Sequence, residues 1–188
     1  MAGGGSWSGL PAEARQGAGW ILLPLRAFLG FTFTFAGAQK LANPGFFDAS
    51  KPGSIQSQLA AAARLSPIHA LVAHLQHEAV TVGVIIALAE LAIGIGTLLG
   101  VLARVAAVGG VILSLCLFLT VSFHSRPYYT GADIVFAFAW LPLVINGAGG
   151  VLSLDAWVAR AAGPSPAAGG SGEVAPGGTT RRAVVSRG

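Results

Sequence analysis

Residues 79–122 read AVTVGVIIALAELAIGIGTLLGVLARVAAVGGVILSLCLFLTVS, an apolar stretch whose only charges are Glu90 and Arg104. Each half is long enough to cross a bilayer, since about 20 apolar residues at 1.5 Å rise span about 30 Å of hydrocarbon. Leu99-Gly100-Val101 leaves room between the halves for nothing but a tight helical hairpin. A carboxylate within the first helix and a guanidinium just inside the second are then intramembrane charges. Charges there are costly and rare, and they mark a partner or a function.

Composition agrees. The 188 residues are 54% hydrophobic and 10% charged, with a mean hydropathy of +0.71, whereas a soluble domain carries roughly 25% charged residues. A net charge of +4 invites a nucleic-acid reading, but the basic residues are scattered singly apart from Arg181-Arg182, so no basic patch supports one. Cys116 is the single cysteine. It excludes a disulfide framework or a Cys-x-x-Cys pair within the chain and reads as a reduced thiol buried as a small hydrophobe.

Outward from the hairpin, the chain divides into three parts. Residues 1–19 are rich in Gly, Ala and Ser and read as a disordered lead-in; residues 20–160 read as the membrane domain; residues 161–188 read as a disordered tail. Trp20–Leu41 forms the first span, with Trp20 at the headgroup level and Asn43-Pro44-Gly45 closing it. A cleaved signal peptide is the competing reading, but Arg26 interrupts the apolar run and the run is long. Residues 43–78 form an extramembrane loop. In it Phe46-Phe47 is an exposed aromatic step, Ser54 caps a helix to Leu65, and Ile68–His77 makes a second short helix. These two helices are expected on the bundle mouth or the membrane surface. Spans at 79–99 and 101–122 are followed by an interfacial Tyr128-Tyr129 pair and a fourth span at 132–148, with Pro142 as a tolerated kink. The expected fold is therefore all-α: an integral membrane four-helix bundle with short interfacial helices in the first extramembrane loop. The distribution of Lys and Arg favours cytoplasmic termini, with the 43–78 loop outside.

Stepping by four and three along the first span places Arg26, Gly30, Phe33, Gly37 and Lys40 on one stripe. Gly83, Ala87, Glu90, Gly94 and Thr97 form a matching stripe on the second. Small residues let helices approach closely, and a lipid-facing charge costs at least about 2.5 kcal/mol, so the stripes are expected to face each other. Depth along the helices then suggests an inner polar cluster of Glu90, Arg26 and Arg104. An outer cluster of Lys40, His124, Arg126 and Asp133 is expected near the opposite face. Either cluster pins helix order, as buried ion pairs sometimes do, or flanks a pocket for a quinone head group, an anion or a proton path.

Other motifs carry less. His74 and His77 share a helix face, but no second ligand set accompanies them, so neither a metal nor a haem is expected. Gly94-x-Gly96 and Gly96-x-x-x-Gly100 follow no strand and serve helix packing, so no dinucleotide is expected either.

Arg26-x-x-Leu29-Gly30, Ala36-Gly37-x-x-Lys40-Leu41 and Asn43-Pro44-Gly45-Phe46-Phe47 together resemble the opening of DoxX/DoxD-type membrane proteins. Glu90-Leu91-x-Ile93-Gly94 and Leu98-Leu99-Gly100-x-Leu102-x-Arg104 extend that resemblance. The long loop before the second span is similar to the DoxD-like branch. The resemblance implies four helices in the bacterial-type cytoplasmic membrane and a DoxD-type subunit of thiosulfate:quinone oxidoreductase. It further implies membrane quinone as cofactor, and a second membrane or peripheral redox subunit as partner. On that expectation Arg26 and Arg104 hold an anion or reduced quinone, and Glu90 relays a proton. A non-enzymatic anchor recruiting a redox partner is the main alternative, and a small-solute carrier the third.

Overall fold

A computed structural model describes residues 12–123, 125–148 and 151–161. Within them the chain is all-helical: α1 (Ala12–Ala42), α2 (Ile55–Leu65), α3 (His69–Leu75), α4 (Ala79–Leu99), α5 (Ala103–Leu117), α6 (Ala132–Asn146) and α7 (Leu154–Ala161). Three helical stretches, 19–42, 69–99 and 103–122, are long and apolar enough to cross a membrane. The fourth apolar helix, α6, has 15 residues, about 22 Å at 1.5 Å per residue and short of the full hydrocarbon thickness.

Antiparallel α1 and α4 form the closest pair. A Cβ built on Gly94 would lie 2.3 Å from the Thr34 backbone nitrogen, and one on Gly37 would lie 2.5 Å from the Ala87 carbonyl. Only hydrogen fits at these crossings, so the two small-residue stripes do face each other. Arg26, Gly30, Phe33 and Gly37 are buried on one helix, against Gly83, Ala87, Glu90, Gly94 and Thr97 on the other. The α4–α5 hairpin turns at Gly100, whose φ of +65° is the left-handed conformation that glycine adopts without steric cost. Packing of α5 against α6 completes the membrane core of Leu29, Phe33, Ala107, Trp140 and Leu143. Phe33 and Trp140 meet edge to face at 5.0 Å.

A second core lies outside the spans. The Ser54 side chain accepts from Ser57 N to cap α2, which packs with α3 around Phe46, Ile55, Leu59, Ala62, Val72 and Ala79. The expected exposed aromatic step is not exposed: Phe46 is buried because the 3₁₀ turn at Pro44–Phe46 folds its ring under this cap, and Phe47 packs half-buried against the same core. Ser66 Oγ donates to the Leu119 carbonyl at 2.7 Å and ties the cap to the end of α5. There the helix widens into a π-helical turn over Phe118–Ser122.

Three further differences from the sequence expectation have physical reasons. Helix α1 begins at Ala12, before Trp20, because alanines there favour continuing the helix. Helix α6 stops at Asn146 because Gly147 leaves helical geometry at φ +63°. Cys116 is exposed, not buried, since the buried face of α5 belongs to the small residues Ala107, Gly110 and Ser114. The lead-in before Ala12 and the tail after Ala161 lie outside the described residues.

Candidate functional site

Glu90 sits about 16 Å from the Ala79 end of α4 and about 14 Å from its Leu99 end, given the helical rise. It is mid-helix and buried, at 3% exposure. Its partner is neither arginine. Lys40 Nζ donates to both carboxylate oxygens, at 2.7 Å to Oε1 and 2.6 Å to Oε2. Helix direction brings them together. Side chains lean toward their own helix N-terminus, so in an antiparallel pair Lys40 leans inward from the end of α1 while Glu90 leans outward to meet it. The lysine stem covers the difference in depth.

Arg26 and Arg104 are committed elsewhere. Buried Arg26 donates to Val151 O at 2.7 Å, Leu152 O at 2.6 Å and Leu98 O at 3.3 Å. The chain turns back there in non-helical form, and such backbone is tolerated at membrane depth only when protein satisfies its carbonyls. Exposed Arg104 donates to Ile145 O at 3.1 Å, against the negative end of the α6 dipole. Both arginines therefore close helix ends at one face, and neither pairs with Glu90. The expected inner trio does not assemble, because unsatisfied carbonyls compete for the guanidinium groups.

The expected outer set is partly assembled, with a changed membership. Asp133, near the start of α6, accepts a short hydrogen bond from Ser122 Oγ of the π turn. Lys40, Glu90 and Asp133 line one partly open cavity of about 220 Å³, with Thr32, Phe33 and Phe136 among its other walls. Arg126 is exposed and makes no ion pair among the described residues, and His124 lies outside them. Two participants were not picked out from the sequence: Gln58 of α2, which also lines the cavity, and Ser122. Gln58 carries no local signal, since it reaches the site only when α2 folds back over the bundle. Ser122 is one turn-forming serine among several.

Chemically, the cavity places one ammonium and two carboxylates against an aromatic and aliphatic wall. A proton can pass between carboxylates and a bound polar group here, and Lys40 can donate a hydrogen bond to a carbonyl oxygen. Small anions are disfavoured inside it, because two carboxylates face one cation. Among the described residues, no group of three or more His, Cys, Asp or Glu side chains is placed to hold a metal.

The family model described as TQO small subunit DoxD matches residues 21–165, which takes in α1 from residue 21, the other three apolar helices and the cap between α1 and α4. The chain belongs to the DoxD family. No curated protein sequence and no solved structure matches it. For this DoxD-family chain, three of the four apolar helices suffice by length and composition to make it an integral membrane protein.

Proposed function

We propose that this DoxD-family protein is the membrane subunit of a quinone-linked oxidoreductase, with the Lys40–Glu90–Asp133 cavity as its quinone head-group site. The observation that carries the reading is the Lys40–Glu90 pair, with its carboxylate buried, lining a partly open cavity with aromatic walls. The residues fit such a group. A cavity of roughly 150 Å³ accommodates benzene, and this one measures about 220 Å³. Lys40 supplies the donor, and Phe33 and Phe136 supply apolar faces for a ring. In this reading an isoprenoid tail leaves between α1 and α6, whose Thr32, Phe33 and Phe136 line the cavity.

A quinone bound there would supply the two-electron, two-proton redox chemistry. This chain's residues do the rest. Lys40 orients the head-group carbonyl through an ammonium hydrogen bond, a contact that strengthens as negative charge develops. Glu90 passes a proton to or from that oxygen, and Ser122 holds Asp133 in place as the second carboxylate. Thiosulfate is the proposed source of electrons. Since the cavity disfavours anions, its oxidation is assigned to a partner subunit or to the opposite face. We place four spans in a bacterial-type cytoplasmic membrane with both termini cytoplasmic, which puts the cavity nearer the outer face.

The test is thiosulfate-dependent ubiquinone or menaquinone reduction by membranes, alongside binding of a short-chain quinone to the purified protein. Lys40→Gln and Glu90→Gln are expected to weaken binding and lower reduction by about tenfold or more, as a positioned acid–base group contributes 10²–10⁴-fold. A second reading is favoured by the two-pronged hydrogen bonding of Lys40 to Glu90: the pair then pins the helices of a non-enzymatic anchor for a redox partner. That reading expects the same variants to impair assembly, with no quinone bound by the native protein.

A further inference from the structure

The cavity at Lys40 shares lining residues with two further spaces. An outer vestibule of about 270 Å³ lies between α2 and the π turn, bounded by Gly53, Ser57, Ala61 and Thr120. A neck of about 30 Å³ follows, with Lys40, Leu117 and Thr120 among its walls. Gln58 and Val121 line all three spaces. Lys40 lines both the neck and the inner cavity. A water needs about 10–15 Å³ and two to four polar partners, and the neck supplies the space together with Lys40, Gln58 and Thr120.

We infer that these spaces form an aqueous route from the loop face to the Lys40–Glu90 pair, gated where Gln58 and Val121 meet. The π turn makes the route possible. Thr120 and Val121 of the widened turn over Phe118–Ser122 line the vestibule opposite α2, and π turns are frequent at functional sites. Gln58 is held at the gate by its own hydrogen bond, Nε2 donating to Gly53 O at 2.8 Å. Water in the neck contacts the lysine ammonium. A proton arriving there passes onto the Glu90 carboxylate, giving a neutral acid beside an ammonium, and one proton then leaves into the inner cavity. The pair returns to its starting charge, with no electron moved. Lys40, Glu90 and Asp133 are the charged groups that face this exchange.

The inference rests on the proposed reading of the inner cavity only for the proton's destination, and the route can be tested without any quinone. In the whole chain carrying Cys116→Ala, single cysteines are placed at Gln58 (vestibule), Leu117 (neck, on the wall it shares with the inner cavity) and Ile112 (exposed on α5, away from all three spaces). Each is treated from the loop side with a charged, membrane-impermeant thiol reagent. Only a hydrated thiol ionises and reacts, so Leu117→Cys is expected to label about tenfold or more faster than Ile112→Cys, and Gln58→Cys faster still. Adding Ala61→Trp, at an exposed position on the vestibule wall, is expected to slow Leu117→Cys and leave Ile112→Cys unchanged. Leu117→Cys labelling no faster than Ile112→Cys, or labelling indifferent to Ala61→Trp in a folded protein, overturns the route. Quinone binding measured on the same preparations separates the two ideas: binding without neck labelling removes the route alone, and neck labelling without binding removes the quinone reading alone.

Discussion

Removing Lys40 is expected to cost more than removing Glu90, although the two share one ion pair. In Lys40→Met the carboxylate loses both Nζ hydrogen bonds while its side chain stays at 4% exposure, and Asp133 remains as a second carboxylate on the same cavity. Breaking a buried pair from one side costs about 3–5 kcal/mol, and the low exposure of Glu90 places this case in that range. In Glu90→Leu the surviving ammonium is better off. Its side chain is 25% exposed, its stem can turn toward the loop face, and Asp133 offers another counter-charge, so about 1–2 kcal/mol is expected. Replacing both, as Lys40→Met/Glu90→Leu, removes the desolvated charges together and is expected to lie within about 1 kcal/mol of the native protein. Reversible unfolding in mixed detergent micelles gives all four stabilities, and these costs combine to a coupling energy of about 4–7 kcal/mol. A coupling below about 0.5 kcal/mol, or a Glu90→Leu more damaging than Lys40→Met, refutes the burial argument and the inward lean of the lysine with it.

Glycine substitutions grade the helix crossings. Gly94→Ala sets a methyl against backbone at 2.3 Å and is expected to separate α1 from α4. Gly110→Ala meets the Trp140 ring at the same distance and costs about 1–3 kcal/mol of overpacking. Gly17→Ala has nothing within 4 Å and is expected to stabilise α1 by up to about 1 kcal/mol; unfolding curves rank the three, and equal effects would deny the close approach. Arg26→Met deprives the carbonyls of Leu98, Val151 and Leu152 of their donor and should speed proteolysis between α6 and α7, whereas Arg104→Gln, at one exposed contact, should not. Ser66→Ala removes the tie to Leu119 O and the acceptor for Ile68 N, so faster amide exchange is expected over Phe118–Ser122.

Hydropathy and the stripe of small residues made the helices and the α1–α4 face legible, because both signals are local and repeat at the helical period. The same stripe carried Glu90 and Lys40, yet depth alone paired Glu90 with the arginines. Two things invisible to depth decided otherwise. Side chains lean along their helices, which moves the effective level of Lys40 inward and that of Glu90 outward. Carbonyls freed where α4 and α6 end also needed donors, and a guanidinium with five N–H groups serves several at once, as Arg26 does.

That division of labour has a consequence for the site. Arginine cannot be deprotonated in a protein, so a cluster built on Arg26 and Arg104 would hold charge in place and could only bind. A lysine ammonium hydrogen-bonded to a carboxylate can pass a proton to it and take one back. By spending the arginines on backbone at one face and leaving Lys40 with Glu90 and Asp133 at the other, the fold keeps its titratable groups together and open to the cavity. Lys40→Arg tests the distinction directly. It keeps the charge and can keep the ion pair, so folding is expected to survive, while quinone reduction is expected to fall with the loss of an exchangeable proton. Full activity in Lys40→Arg would reduce the lysine to a point charge and leave proton transfer to the carboxylates alone.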